Sequence, residues 1–205
     1  MKLHTSIGPN PRVVKMFLAE KGLEMPFVTV DLMGGENRRE PYATGVNRAG
    51  QTPALELDDG STLTEITAIC EYLEERQPAP PLIGTTAEQR AQTRMWTRRV
   101  DLKICEPLAN GFRYAEGLPL FQSRMRCLPE AAQGLKAVAR DGLEWLEGEF
   151  KGPWITGDRF SLADILLFCF LDFGATVGQP LDPAFGRLTD WFARVKARPS
   201  AAASA

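Results

Sequence analysis

Gly50-Gln51-Thr52-Pro53-Ala54-Leu55, followed by a turn at Asp58-Asp59-Gly60 and a helix opening at Thr64-Glu65, is the stretch that decides how this chain folds. Pro53 has no N–H to give to a strand ladder, so the apolar strand carrying Ala54, Leu55 and Leu57 must begin at the proline rather than run through it. The proline also pushes Thr52 into extended geometry. The backbone N–H and C=O of Thr52 are then left to pair with an extended ligand, much as a peptide adds to a sheet edge. Glu65 offers a carboxylate where the next helix starts, and an ammonium group would meet it there. The unbonded N–H groups of that helix, beginning with Ile66, suit a ligand carboxylate. Thr52, Pro53, Glu65 and Ile66 together read as a site for a small peptide with a free amino-acid end.

Working outward, Lys2 to Thr5 reads as a strand. Pro11 to Lys21 reads as a helix with Val14, Phe17 and Leu18 on one face, closed by Gly22. Phe27 to Val30 is a second strand, and residues 34–47 form an irregular polar segment with room for a short helix. Ala54 to Leu57 and Thr62-Leu63 make a hairpin. Ile66, Ile69, Cys70 and Leu73 then form the stripe of an amphipathic helix ending near Arg76. This βαβ–ββα order resembles a thioredoxin-like layout. Pro78-Ala79-Pro80-Pro81 can neither continue a helix nor pair as a central strand, and so marks a boundary. Beyond it the pattern is helical: Ala87 to Ala115 with bends at Pro107 and Gly111, Leu128 to Phe150, a helix from Leu162 to Phe173 apolar nearly all round, and Leu188 to Lys196. The tail Ala201 to Ala205 carries no signal. The expected class is α/β plus all-α: a thioredoxin-like domain at 1–77, a linker at 78–86 and an all-helical domain at 87–205.

The composition, 205 residues with 44% hydrophobic and 24% charged, is that of a globular chain with a sizeable core. A net charge of −2 with a pI near 5.6 gives no basic footprint for nucleic acid. The run Arg90, Arg94, Arg98, Arg99 and Lys103 reads as a solvated helix face. Four cysteines, Cys70, Cys105, Cys127 and Cys169, are far apart with no C-x-x-C pair, which fits free thiols in a reducing cytoplasm. No apolar run approaches the roughly 20 residues that span a membrane, and no leader opens the chain. The single histidine, His4, excludes a zinc site built on several histidines, so no metal is expected.

The Thr52-Pro53-Ala54-Leu55 strand start and the acidic Glu65 opening the next helix resemble the glutathione transferase family along the whole chain. A second signature, Gly157-Asp158-Arg159-Phe160-Ser161-Leu162-Ala163-Asp164-Ile165, matches the family's capping segment in the helical domain. Physically it is a capping box with Ser161 at the N-cap and Asp164 at N3, and Phe160 with Ile165 as the staple. The resemblance implies a cis proline at Pro53, glutathione as co-substrate, a homodimer, and an enzyme. That enzyme would transfer the glutathione thiolate to a small electrophile or reduce peroxides and disulfides with it.

The resemblance also implies where the thiol is activated: just after the first strand, at the mouth of the first helix, here Thr5-Ser6-Ile7-Gly8-Pro9-Asn10-Pro11-Arg12. The family's usual catalytic serine or tyrosine falls at Gly8, which has no side chain to donate. The segment is partly similar to the bacterial Nu-type subgroup, which uses an asparagine near the sulfur, so Asn10 is the expected donor and Ser6 the reserve. Asn10 equally suits a helix N-cap with Pro11 at N1. Ile66 stands where family members usually carry serine, and Asn37, Arg38 and Arg39 suit a solvated loop first and a contact with the ligand's glycine carboxylate second. The second substrate is expected between the domains, with Trp96, Arg99, Leu102, Phe112 and Tyr114 as its surroundings. Gly8 and Ile66 keep a second reading open, the same fold as a non-catalytic interaction or regulatory protein.

Overall fold

The strand β3 (Ala54–Glu56) starts directly after Pro53, as the missing proline N–H requires, and lies inside a four-stranded sheet. The computed structural model describes all residues from Met1 to Ala205. With β1 (Lys2–Thr5), β2 (Phe27–Thr29) and β4 (Thr62–Leu63), the strand order is β2-β1-β3-β4. β1 runs parallel to β2 in the register Leu3↔Phe27 and antiparallel to β3 in the register Leu3↔Leu55. Leu3 and Leu55 are fully buried. Two helices, α1 (Pro9–Lys21) and α3 (Ile66–Arg76), pack together and bury Val13, Val14, Phe17, Ile69, Cys70 and Leu73. The irregular segment between β2 and β3 holds a single 3₁₀ turn at Glu36–Arg38 and the short helix α2 (Tyr42–Gly45).

One sequence expectation is corrected in this unit, and the structure adds detail at its margins. The first helix begins at Pro9, not Pro11, so Asn10 is not its N-cap; Gly8 is, with φ 111° and no side-chain cap. The cause is that Pro9 already has the φ a first turn needs, and only glycine before it tolerates that backbone. The chain divides into one unit of Met1–Pro80 with Ala202–Ala205 and another of Pro81–Ala201. Leu82 and Ile83 are buried, and the Leu82 carbonyl accepts from Leu162 N–H at 2.9 Å, which makes residues after Pro81 part of the helical unit. The tail is also ordered: α10 (Pro199–Ala203) buries Ser200 and Ala201.

The first unit is closed by a buried cation that the sequence pattern did not reveal. Lys21, in the last turn of α1, is paired with Glu74 of α3, and both are almost fully buried. Its ammonium also donates to the carbonyls of Gln77 at 2.7 Å and Pro80 at 2.6 Å. Three acceptors match its three donors, which is what makes a buried lysine tolerable.

The second unit contains α4 (Ala87–Val100), α5 (Glu106–Arg113), α6 (Leu118–Phe121), α7 (Ala132–Glu149), α8 (Leu162–Thr176) and α9 (Gly186–Lys196). Between α4 and α5 the chain widens into a π-helical segment at Asp101–Cys105, with the Glu106 N–H reaching back to the Asp101 carbonyl. Pro107, expected as the bend, lacks the N–H that would bond the Lys103 carbonyl. Gly142 of α7 sits against that same carbonyl, where a Cβ would lie only 2.4 Å away.

The capping box is present: the Asp164 carboxylate accepts from Ser161 N–H at 2.9 Å and Ser161 Oγ at 3.0 Å. It also accepts from Ile155 N–H and Trp191 Nε1–H, both at 2.9 Å. Burial pushes its carboxyl up to about 6, against the pull of these donors. The native state therefore takes up this proton at higher pH than the unfolded chain, and the group alone makes folding more favourable as pH falls from about 6 to about 4.

Two stability predictions arise here. Lys21→Met removes the cation paired with buried Glu74, and urea unfolding should show a loss of about 3–5 kcal/mol. Asp164→Asn leaves buried N–H donors facing an amide nitrogen. It should lose about 2–4 kcal/mol at neutral pH, and the wild-type advantage should shrink as pH rises from about 4 to about 6.

Candidate functional site

The end of β1 and the approach to β3 come together at a pair of hydroxyls, Ser6 Oγ and Thr52 Oγ1, 2.5 Å apart. Ser6 Oγ also donates to the Ile7 carbonyl at 3.1 Å, which makes Thr52 the donor within the pair. The Thr52–Pro53 peptide bond is cis. The β1–β3 ladder begins at His4↔Ala54, and neither the N–H nor the C=O of Thr52 has a partner in the chain. Both backbone groups of Thr52 are therefore free of bonds within the chain.

Side chains hold the residues just before it. Asn37 Nδ2 donates to the Gly50 carbonyl at 2.6 Å. The Gln51 carbonyl accepts twice, from Tyr42 Oη at 2.6 Å and Asn47 Nδ2 at 2.9 Å. Gly50 adopts φ 60°, and a Cβ there would lie 2.9 Å from the Asn37 carbonyl oxygen. Asn37, expected to touch a ligand carboxylate, is buried and turned to Gly50. Arg38 and Arg39 likewise reach backbone carbonyls, of Ala49 at 3.3 Å and Gly34 at 2.7 Å.

Glu65 is the N-cap of α3 and the one non-glycine residue with positive φ, at φ 68° and ψ 121°. That combination lies outside even the small left-handed region open to ordinary residues, and holding it costs roughly 1–3 kcal/mol. The exposed carboxylate makes no capping bond, so nothing local accounts for the strain. Ile66 follows as the first residue of α3, half-buried.

At the mouth of α1, the two prolines decide which donors exist. Pro9 and Pro11 have no N–H, and Arg12 N–H reaches the Gly8 carbonyl at 3.4 Å. Asn10 N–H is therefore the one unbonded backbone donor of this first turn. The Asn10 side chain is half-exposed, with no cap bond to make.

The residues expected around a second substrate lie in the helical unit. Trp96 stacks near Trp145 at 5.8 Å, with Arg99 over Trp96 and Lys103 over Trp145, both at 5.1 Å. Phe112 is engaged edge-on with Phe173 at 5.1 Å and Phe121 at 6.1 Å. Tyr42 and Asn47 were missed in the sequence. Their signals were the lone large aromatic in a polar segment, and an asparagine two residues before Ala49, whose N–H its Oδ1 accepts at 2.9 Å.

The sheet thus carries an unpaired backbone segment before a cis proline and, at the start of α3, an acidic N-cap, and a helical unit follows it. Residues 7–76 match the family model for the glutathione S-transferase N-terminal domain, and residues 122–199 match that for the C-terminal domain. The chain is 32% identical over 201 residues to glutathione S-transferase 2 of Saccharomyces cerevisiae, covering 96% of this chain and 85% of that protein. It is 36% identical over 203 residues to maleylacetoacetate isomerase of Pseudomonas aeruginosa, covering 93% and 90%. The crystal structure of Gtt2 from Saccharomyces cerevisiae superposes with a TM-score of 0.92 at 29% identity, covering all of both chains. The chain belongs to the glutathione S-transferase family.

The strain at Glu65 gives a prediction. Glu65→Gly should unfold with a free energy at least about 1 kcal/mol above that of Glu65→Ala, since only glycine relaxes at that φ. Equal melting in a thermal scan of the two variants contradicts the strain.

Proposed function

We propose that the chain binds glutathione with its cysteinyl backbone paired to Thr52 and its amino group on Glu65, and transfers the sulfur as thiolate to a small electrophile. The single observation that supports this best is Thr52, whose N–H and C=O stand unpaired in front of Pro53 while Glu65 is held nearby in sequence in a strained conformation. The Ile66 N–H receives a ligand carboxylate; with isoleucine in place of a hydroxyl residue, that end is held by backbone alone.

A free thiol titrates near 8.5, so the site must favour the anion. Lowering it by about two units needs roughly 2.7 kcal/mol. One hydrogen bond to the charged sulfur contributes about 1.5–3 kcal/mol, and a helix N-terminus about 0.3–1 kcal/mol. Asn10 supplies both, through its amide side chain and its backbone N–H. Ser6 is the reserve donor, although its bonds to Ile7 and Thr52 suit it better to holding Thr52. The thiol proton leaves to solvent, the sulfur forms the new bond, and the electrophile's leaving group departs with its electron pair. Reduction of peroxides or disulfides by the same thiolate is the companion activity.

For the electrophile we assign Trp96 and Arg99, a half-exposed aromatic beside a cation, whereas Phe112 serves more in packing. A second copy of the chain is the assigned partner. Exposed Met95 on α4, Leu102 on the π-helical segment and Val138 on α7 offer it apolar surface. No helix is long and apolar enough to cross a membrane, and all four cysteines are free, which supports a place in the reducing cytoplasm.

Calorimetry tests the binding mode: Glu65→Ala should weaken glutathione by about 2–4 kcal/mol, the loss expected when one partner of a charged pair is removed. Unchanged affinity would sink the assignment. Thiolate absorbance of bound glutathione tests the chemistry. Its apparent pKa should lie below that of free glutathione and rise in Asn10→Ala; a rise in Ser6→Ala alone moves the role to Ser6.

A further inference from the structure

The Gln51 carbonyl is the most heavily bonded acceptor beside the proposed glutathione edge. Tyr42 Oη and Asn47 Nδ2 occupy it from one side, and Asn37 Nδ2 occupies the neighbouring Gly50 carbonyl. Tyr42 is itself fixed. Its ring meets the His4 ring edge-on at 5.9 Å, and His4 Nε2 is 3.0 Å from Glu56 Oε2. The Tyr42 side chain is buried, and burial pushes its phenol up to about 12, so it stays a protonated donor. Asn47 is buried as well and uses its Oδ1 on Ala49 N–H, which leaves Nδ2 pointed at Gln51.

Two consequences follow for a ligand. A backbone segment with no ladder of its own would sample many conformations, and ordering it on binding would weaken affinity. Here the ordering is done in advance by side chains. Moreover, an extended ligand paired with Thr52 meets no free N–H at Gly50, the next residue on the same side of the ladder, because Gly50 N–H donates to the Asn47 carbonyl at 2.8 Å and the Gly50 carbonyl already accepts from Asn37. The ladder is thereby disfavoured beyond Thr52.

On the reading that glutathione pairs with Thr52, we propose that Tyr42 and Asn47 are positioning residues of this site. Without touching the ligand, they set its affinity by clamping the Gln51 carbonyl, and with Asn37 they restrict the edge to a short peptide rather than a longer extended strand.

The test uses the full chain with glutathione as the probe, and Glu65→Ala as the control for the binding mode. Tyr42→Phe removes one donor from Gln51 without a change of shape. Asn47→Asp keeps the bond to Ala49 and replaces the other donor by an acceptor. Each should raise the dissociation constant and KM for glutathione, Tyr42→Phe by about two- to tenfold, the range of one net hydrogen bond. kcat at saturating glutathione should hold. A lower melting temperature with wild-type KM overturns the proposal, since a purely structural role predicts that pattern. If Glu65→Ala binds as wild type does, or wild type ignores glutathione, the binding reading itself fails and this inference fails with it. If Glu65→Ala weakens binding while both clamp variants match wild type, the clamp alone is wrong.

Discussion

A backbone segment that presents unpaired N–H and C=O groups to a ligand cannot also be held by a sheet ladder. Buried backbone polar groups are nearly always paired, so the freedom of Thr52 has to be compensated around it. In this chain Pro53 starts β3 without a donor, and the ladder picks up at Ala54. The residues in front are secured by side chains: Ser6 on Thr52, Tyr42 and Asn47 on Gln51, Asn37 on Gly50. The 3₁₀ turn and α2, irregular in sequence, exist to deliver Asn37 and Tyr42 to those carbonyls.

The same logic of exact donor and acceptor matching recurs at the ends of the buried helices. Lys21 brings three donors to three acceptors where α1, α3 and the chain leaving α3 meet. Asp164 gathers N–H groups from three different segments at the start of α8, around a carboxylate that burial alone would disfavour. Neither group stabilises by its charge as such. Each makes one arrangement of neighbouring elements satisfy every polar atom, and any shift of a helix end leaves one unmet.

The parts of the fold legible in the sequence were those written in local chemistry. Pro53 fixed where β3 begins, the Ile66–Ile69–Cys70–Leu73 stripe marked α3, and Ser161 with Asp164 marked α8. Gly8 and Asn10 were misread at the helix start because two prolines, Pro9 and Pro11, both satisfy a first-turn position, and only the backbone at Gly8 distinguishes them. Lys21 stands at a helix C-terminus, where a basic residue is ordinary. Its burial depends on Glu74, far along the chain, and no periodicity announces that partner. Asn37 was placed at the ligand for its polarity, yet its role comes from Gly50, a contact across a loop. The tail from Pro199 looked featureless because alanine and serine carry little pattern, although alanine favours helix strongly.

Two departures from local preference lie in the first unit. Glu65 adopts a positive φ without being glycine, and Thr52 leaves its backbone unpaired. Natural sequences tolerate such departures mainly at functional sites, with stability supplied elsewhere. For Glu65 the alternative is easy to state: a relaxed N-cap would place serine, threonine or aspartate with its side chain folded back on the helix. The observed carboxylate makes no bond to the helix N–H groups. On the proposed binding mode those N–H groups are left for the ligand's anion and the carboxylate for its cation, so that one residue junction addresses both charges of an amino-acid end. A side chain folded back as a cap would have used both groups on each other.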